Sequence, residues 1–235
     1  MPADVQQLKD KVNSLKEISE EKIDTMVQLA EALNAENNSE AKELAQQIVK
    51  LSKNIGYSKG EAAGWINTGV YAVAQRNFQE ATPAYHRAIK IYSTLNDTDG
   101  LANAYSKLGN VGLYDGKYDD ALEHYNKAIL LRKQLNDEQG MADLFTNSAI
   151  IFGLQGSYAQ ALQSHLKALK IYEDLNVPHR VAASTSNIGV IYLEQQNYDE
   201  ALKMFERALV LREQRGEMKE VGVQLNNIGY VLQEQ

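Results

Sequence analysis

Apolar positions along the chain recur three or four residues apart with polar residues between them, the period of amphipathic helices. Val5, Leu8, Val12, Leu15 and Ile18 stand among Lys, Gln, Glu and Asp and predict one such helix at the N-terminus. In Gly100 to Gln139 the same spacing appears twice, in Leu101, Ala104, Tyr105, Leu108 and Gly112 and again in Ala121, Leu122, Tyr125, Ala128, Ile129 and Leu135. That stretch predicts a helix A, a turn and a helix B. The connection is short, so the two helices must lie antiparallel and side by side.

The pattern returns about every forty residues, with residue types as well as hydrophobicity preserved, which marks a stacked repeat array. Leu108, Gly109, Gly116, Tyr118, Ala121, Tyr125, Ala128 and Leu131 match Ser148, Ala149, Gly156, Tyr158, Ala161, His165, Ala168 and Ile171. Ile188, Gly189, Gln196, Tyr198, Ala201, Phe205, Ala208 and Leu211 follow, and Thr68, Gly69, Arg76, Phe78, Ala81, Tyr85, Ala88 and Ile91 precede. The expected organisation is a capping helix over 1–19, then an array over 20–235 divided as 20–59, 60–99, 100–139, 140–179, 180–219 and a half unit 220–235. The first unit keeps Leu29, Ala41, Leu44, Ile48 and Leu51 in phase but lacks the glycine and aromatic positions, as terminal repeats often do.

The breaks carry stop and start signals. Gly116 and Gly156 suit the left-handed end of a helix, and where Arg76 and Gln196 stand instead, Asn77 and Asn197 follow. Asn77 with Glu80, Ser157 with Gln160 and Asn197 with Glu200 read as capping boxes. Pro83 falls near the second turn of its helix, where it removes one backbone bond. Glycine inside a helix costs roughly 1 kcal/mol against alanine. Its recurrence at Gly69, Gly109, Gly189 and Gly229 therefore implies close approach of helix A to helix B, with Ala81, Ala121, Ala161 and Ala201 on the facing side.

Composition narrows the function. Lys and Arg number 24 against 31 Asp and Glu, a net charge of −7, the wrong sign for a nucleic-acid surface. No apolar run approaches the roughly 18 residues of a membrane span. No basic flank followed by an apolar block opens the chain, and the absence of cysteine fits a reducing compartment, so a cytoplasmic location is expected. His86, His124, His165 and His179 are not paired at metal-ligand spacing, and His165 replaces Tyr85, Tyr125 and Phe205 as core filler. With neither a phosphate-binding glycine loop nor a nucleophile elbow, no metal, cofactor or enzymatic activity is expected.

Gly69, Phe78, Ala81, Tyr85 and Ala88, with Trp65 early in helix A, resemble the tetratricopeptide repeat from about Gly60 to Tyr230, although its usual unit is about 34 residues. Similar long units occur in kinesin light chains, in the partner-of-inscuteable type of G-protein modulator, and ahead of bacterial histidine kinases, cyclases and transcription regulators. The resemblance implies an all-α, right-handed α-solenoid of stacked antiparallel helix pairs. It further implies that helix A lines a concave groove that binds a protein or peptide.

The groove face also follows from geometry, since Asn67 lies about 160° from Gly69 around helix A and points away from helix B. That face carries Ala63, Asn67, Val70, Tyr71 and Ala74, then Asn103, Lys107, Asn110 and Tyr114, then Asp143, Asn147, Ile150 and Leu154. It continues through Ala183, Asn187, Val190 and Glu194 to Val223, Asn227 and Tyr230. Asn67, Asn147, Asn187 and Asn227 form a ladder, with Lys107 at the remaining rung. An amide both donates and accepts, so the ladder suits an extended peptide backbone, or it pairs neighbouring helices and holds repeats in register. Lys107 is the sole basic residue there, which does not favour the carboxylate clamp of cochaperone relatives. Val70, Ile150, Leu154, Val190, Tyr114 and Tyr230 are candidate apolar anchors, with packing between adjacent A helices the favoured account of Ile150 and Val190. Val221, Val223, Leu225, Ile228, Val231 and Leu232 make the last helix strongly apolar. It is expected to lead into the rest of a larger signalling protein, of which this is the sensor or docking region, or to pair with a second copy.

Overall fold

The computed structural model describes residues 5–36 and 39–235. Within them the fold is all-α, with twelve helices and no strand. The chain divides into two compact units, Met1–Leu131 and Arg132–Gln235, the boundary falling in the last turn of the helix Tyr118–Gln134.

The first unit holds α1 (Val5–Ser14), α2 (Glu20–Ala35), α3 (Glu40–Ile55), α4 (Ser58–Ala74), α5 (Phe78–Leu95), α6 (Thr98–Asp115) and α7 (Tyr118–Gln134). Leu8 on α1 is buried against Leu29, Leu33 and Ala41. Each helix then packs on the next from α1 to α6, and α4 also touches both α2 and α6. The even-numbered helices from α2 to α6 are thus the A helices of successive pairs. Their core gathers Ile66, Tyr85, Tyr92, Leu108 and Val111, with Trp65 and Phe78 at its edge.

The second unit holds α8 (Glu138–Leu154), α9 (Tyr158–Asp174), α10 (Pro178–Glu194), α11 (Tyr198–Glu213) and α12 (Met218–Glu234), each packed on the next. Leu169, Tyr172, Val181 and Ile188 form one core, and Ala201, Phe205 and Val231 a second.

The joints follow a single plan. One left-handed residue occurs every twenty positions from 56 to 216: Gly56, Arg76, Asn96, Gly116, Asn136, Gly156, Asn176, Gln196 and Gly216. After each, the next amide reaches back five residues, as in Asn77 N to Ala72 O (2.8 Å), Lys117 N to Gly112 O (2.8 Å) and Asn197 N to Tyr192 O (2.9 Å). These are Schellman closures that satisfy carbonyls at helix ends. Arg76 and Gln196 adopt the left-handed conformation themselves, whereas the sequence suggested that the following asparagines substitute for the glycine. Asn77 instead caps α5, accepting from Glu80 N (3.2 Å) while its Nδ2 donates to Glu80 Oε2 (2.9 Å). The expected boxes at Ser157 and Asn197 make no such cap bond. Asp97 and Asp137 cap α6 and α8 by accepting from Gly100 N and Gly140 N at 2.8 Å.

The recurrent glycines of helix A seat rings and not alanines. A Cβ on Gly69 or Gly109 would collide with the ring of Tyr85 or Tyr125, and one on Gly189 would lie 2.7 Å from Phe205. Ala121 faces Gly112, one turn further along α6. The remaining positions vary in step: Ala149 has a Cβ, and sixteen residues later stands the smaller ring of His165, both buried and both lining one cleft. On Gly229 a Cβ would meet nothing within 4 Å. A second recurrence lies across the pairs, with Arg87 over Trp65 (4.3 Å), Lys127 over Tyr105 (5.5 Å) and Lys167 over Phe145 (5.5 Å).

Candidate functional site

Each unit carries a cleft on its A-helix side, and the two differ in chemistry. In the first unit a cleft of about 320 Å³ is lined by Glu31, Asn34 and Ala35 of α2, Ile66, Asn67 and Val70 of α4, and Asn103 and Lys107 of α6. Asn67 is 2% exposed, so it is a wall of this cleft and not a free rung. Its Nδ2 donates to Ala63 O (3.1 Å) and its Oδ1 accepts from Asn34 Nδ2 (2.9 Å), which ties α4 to α2. At this position the register-holding reading of the ladder applies. Asn103 and Lys107 are half-buried. Burial pushes the Glu31 carboxyl above its ordinary pKa, opposed by the Lys107 ammonium. Asn110 accepts from the Tyr125 hydroxyl (2.7 Å) and fixes that ring, while Tyr114 stands 59% exposed.

In the second unit a cleft of about 450 Å³ is lined by Ala149, Ile150, Gly153 and Leu154 of α8, Asn187, Val190, Ile191 and Glu194 of α10, and Tyr158 and His165 of α9. Ile150 and Val190, expected as packing between A helices, are 41% and 39% exposed and line the cleft. Leu154 is 60% exposed. Asn187 is half-buried, and Glu194 accepts a long bond from the Tyr158 hydroxyl (3.4 Å). His165 lies beneath, and burial holds its imidazole down to about 4, hence neutral.

Asp143 belongs to the scaffold: it accepts from the Tyr172 hydroxyl (2.6 Å) and pairs with Arg180 (3.4 Å). Asn147 on α8 and Asn227 on α12 are half-buried, and Tyr230 is 53% exposed. The structure therefore joins Asn67, Asn103 and Lys107 around one cleft and Leu154, Asn187 and Glu194 around another. Gly153 and His165 were not read from the sequence as cleft residues. The signal was their small size beside Leu113, Leu193, Tyr125 and Phe205 at matching positions.

A third hollow, about 650 Å³, lies at the joints of the first unit, lined by Arg76, Asn77, Phe78, Gln79, Thr82, Pro83, Asp115 and Lys117. There Lys117 is neutralised by Asp115 at 2.6 Å. Among the described residues no helix is long and apolar enough to cross a membrane.

The family model for the tetratricopeptide repeat matches residues 61–134, 100–174 and 140–214. No curated protein sequence matches the chain. Among solved structures, BtubC (BKLC) from P. vanneervenii is 24% identical with a TM-score of 0.72, over 87% of this chain and 84% of that one. The apo form of RapI is 19% identical with a TM-score of 0.80, over 97% of this chain and 64% of that one. A signal transduction ATPase with a tetratricopeptide repeat sensor, PH0952 from Pyrococcus horikoshii, is 12% identical with a TM-score of 0.69, over 97% of this chain and 38% of that one. At these identities the likeness is one of fold.

Proposed function

Because this chain belongs to the tetratricopeptide repeat family, we propose that it is a non-catalytic, cytoplasmic module that binds a protein or peptide on its A-helix side, as the sensor or docking region of a larger signalling protein. The observation that carries this reading is the presence in each unit of a cleft walled by side chains of that predicted face, with amide groups set among apolar ones. Such a mixture suits an extended segment, whose backbone needs donors and acceptors and whose side chains need apolar seats. The sensor of PH0952 is a precedent for the use, not evidence of the same ligand. The test is capture from source-cell lysate by the chain and by an Asn147→Ala/Asn187→Ala/Asn227→Ala variant of equal melting temperature. The captured protein is then purified and titrated against both. Loss of that partner with the fold intact is expected; equal binding by the two would sink the reading.

A second reading is favoured by α12. Leu225 and Leu232 are 53% and 57% exposed, and beside them the Gly229 seat, filled by a ring in earlier pairs, is open. That face is proposed to pair with α12 of a second copy. Light scattering separates the readings, since a monomer at micromolar concentration excludes obligate assembly.

A further inference from the structure

We propose that the notch at Gly153 in the second unit seats an aliphatic side chain of leucine size from a basic peptide segment, an inference that rests on the peptide-binding reading above. At matching repeat positions the chain carries Val73, Leu113, Gly153 and Leu193. In the last pair Leu193 packs onto the cluster of Ala201, Phe205 and Val231. The counterparts of Phe205 and Val231 one unit earlier are His165 and Ile191, and both line the cleft beside Gly153. The side chain that covers this place from within α10 is therefore missing from α8.

Packing does not require that glycine. Its φ is not positive, and a Cβ there would meet only Ile191 Cδ1, at an ordinary 3.7 Å. This differs from Gly69, Gly109 and Gly189, each of which a ring obliges. Room has been left where a leucine would fit, and Ile150, Leu154 and Val190 wall it with exposed apolar surface. His165 adds no charge below, because burial keeps it neutral. The shape and chemistry are those of a seat for an aliphatic group. At its edge Glu194 is exposed, and the chain as a whole carries a charge of −7, so a Lys or Arg beside the anchoring residue is the complementary flank.

The test selects a random dodecapeptide library displayed on phage against the whole chain and titrates the synthesised winners by fluorescence anisotropy. Winners are expected to share a Leu or Ile next to Lys or Arg. Gly153→Leu fills the notch with the residue native at 113 and 193, so it should fold, which a thermal melt checks. It should weaken binding about tenfold or more, as should changing the peptide's leucine to alanine. Glu194→Gln leaves the notch intact and should flatten the salt dependence of binding. Winners without an aliphatic residue, equal affinity for Gly153→Leu, or no enrichment at all would each overturn the proposal. Winners that ignore Gly153→Leu but fail on Asn147→Ala/Asn187→Ala would overturn the anchor and leave the groove standing. Winners indifferent to all of these changes would overturn both.

Discussion

The same substitution, glycine to alanine at the recurrent helix A position, should have opposite effects at two sites. Mid-helix alanine gains roughly 1 kcal/mol over glycine at both Gly109 and Gly229. At Gly109 the new methyl would be driven into the Tyr125 ring, which is fully buried and held by the hydroxyl's 2.7 Å bond to Asn110. Overpacking of this kind costs about 1 to 3 kcal/mol. Gly229 has no neighbour within 4 Å to collide with. Gly229→Ala should therefore stabilise by about 1 kcal/mol, and Gly109→Ala should be destabilising by up to about 2 kcal/mol. Urea unfolding followed by circular dichroism reads both as shifts in midpoint at constant slope. Adding Tyr125→His to Gly109→Ala recreates the Ala149 and His165 pair, so the double variant should lose less than the sum of the single changes, by about 1 kcal/mol. Stabilisation at both glycines alike, or simple additivity in the double variant, would refute the ring-seat account.

Arg76→Gly and Gln196→Gly should each stabilise by about 0.5 to 1 kcal/mol, because both residues sit at positive φ where glycine is at ease; denaturant midpoints would show it. His165, with a folded pKa of about 4, binds its proton less readily folded than unfolded, so it should lower stability progressively as pH falls from about 6.5 towards 4. That acid loss, on the order of a few kcal/mol, should be smaller in Ala149→Gly/His165→Tyr when midpoints at neutral pH and pH 4 are compared. Asp143→Ala should cost about 1 kcal/mol by removing the carboxylate that accepts from the Tyr172 hydroxyl, which keeps Thr146 as a partner; a lowered melting temperature would show it.

The repeat was legible because its determinants are large and periodic: a glycine, a ring sixteen positions later, and alanines between tightly packed helices. The pairing itself could have been read, since Gly with Tyr, Gly with Tyr, Ala with His and Gly with Phe vary together down the chain. Arg76 and Gln196 were not legible as left-handed residues, because neither side chain favours that conformation; the fixed joint geometry imposes it. Asn67 lines the first cleft on the face that its angle predicts, but its bonding partner was not legible. A helical angle measured from its own partner helix says which side it faces, but not that Asn34 of α2 already stands there to meet it. Ile150 and Val190 stand open beside Gly153 on the wall of the second cleft, where packing between A helices was favoured.

The chain's single tryptophan, Trp65, lies in the first unit with the Arg87 guanidinium over its face. Unfolding of that unit strips the cation from the indole and hands it to water, whereas every helix contributes to the far-ultraviolet signal. Emission is thus a local gauge and circular dichroism a global one. If the two curves part during denaturation, the gap between them measures how independently the halves of the molecule yield, with no label introduced.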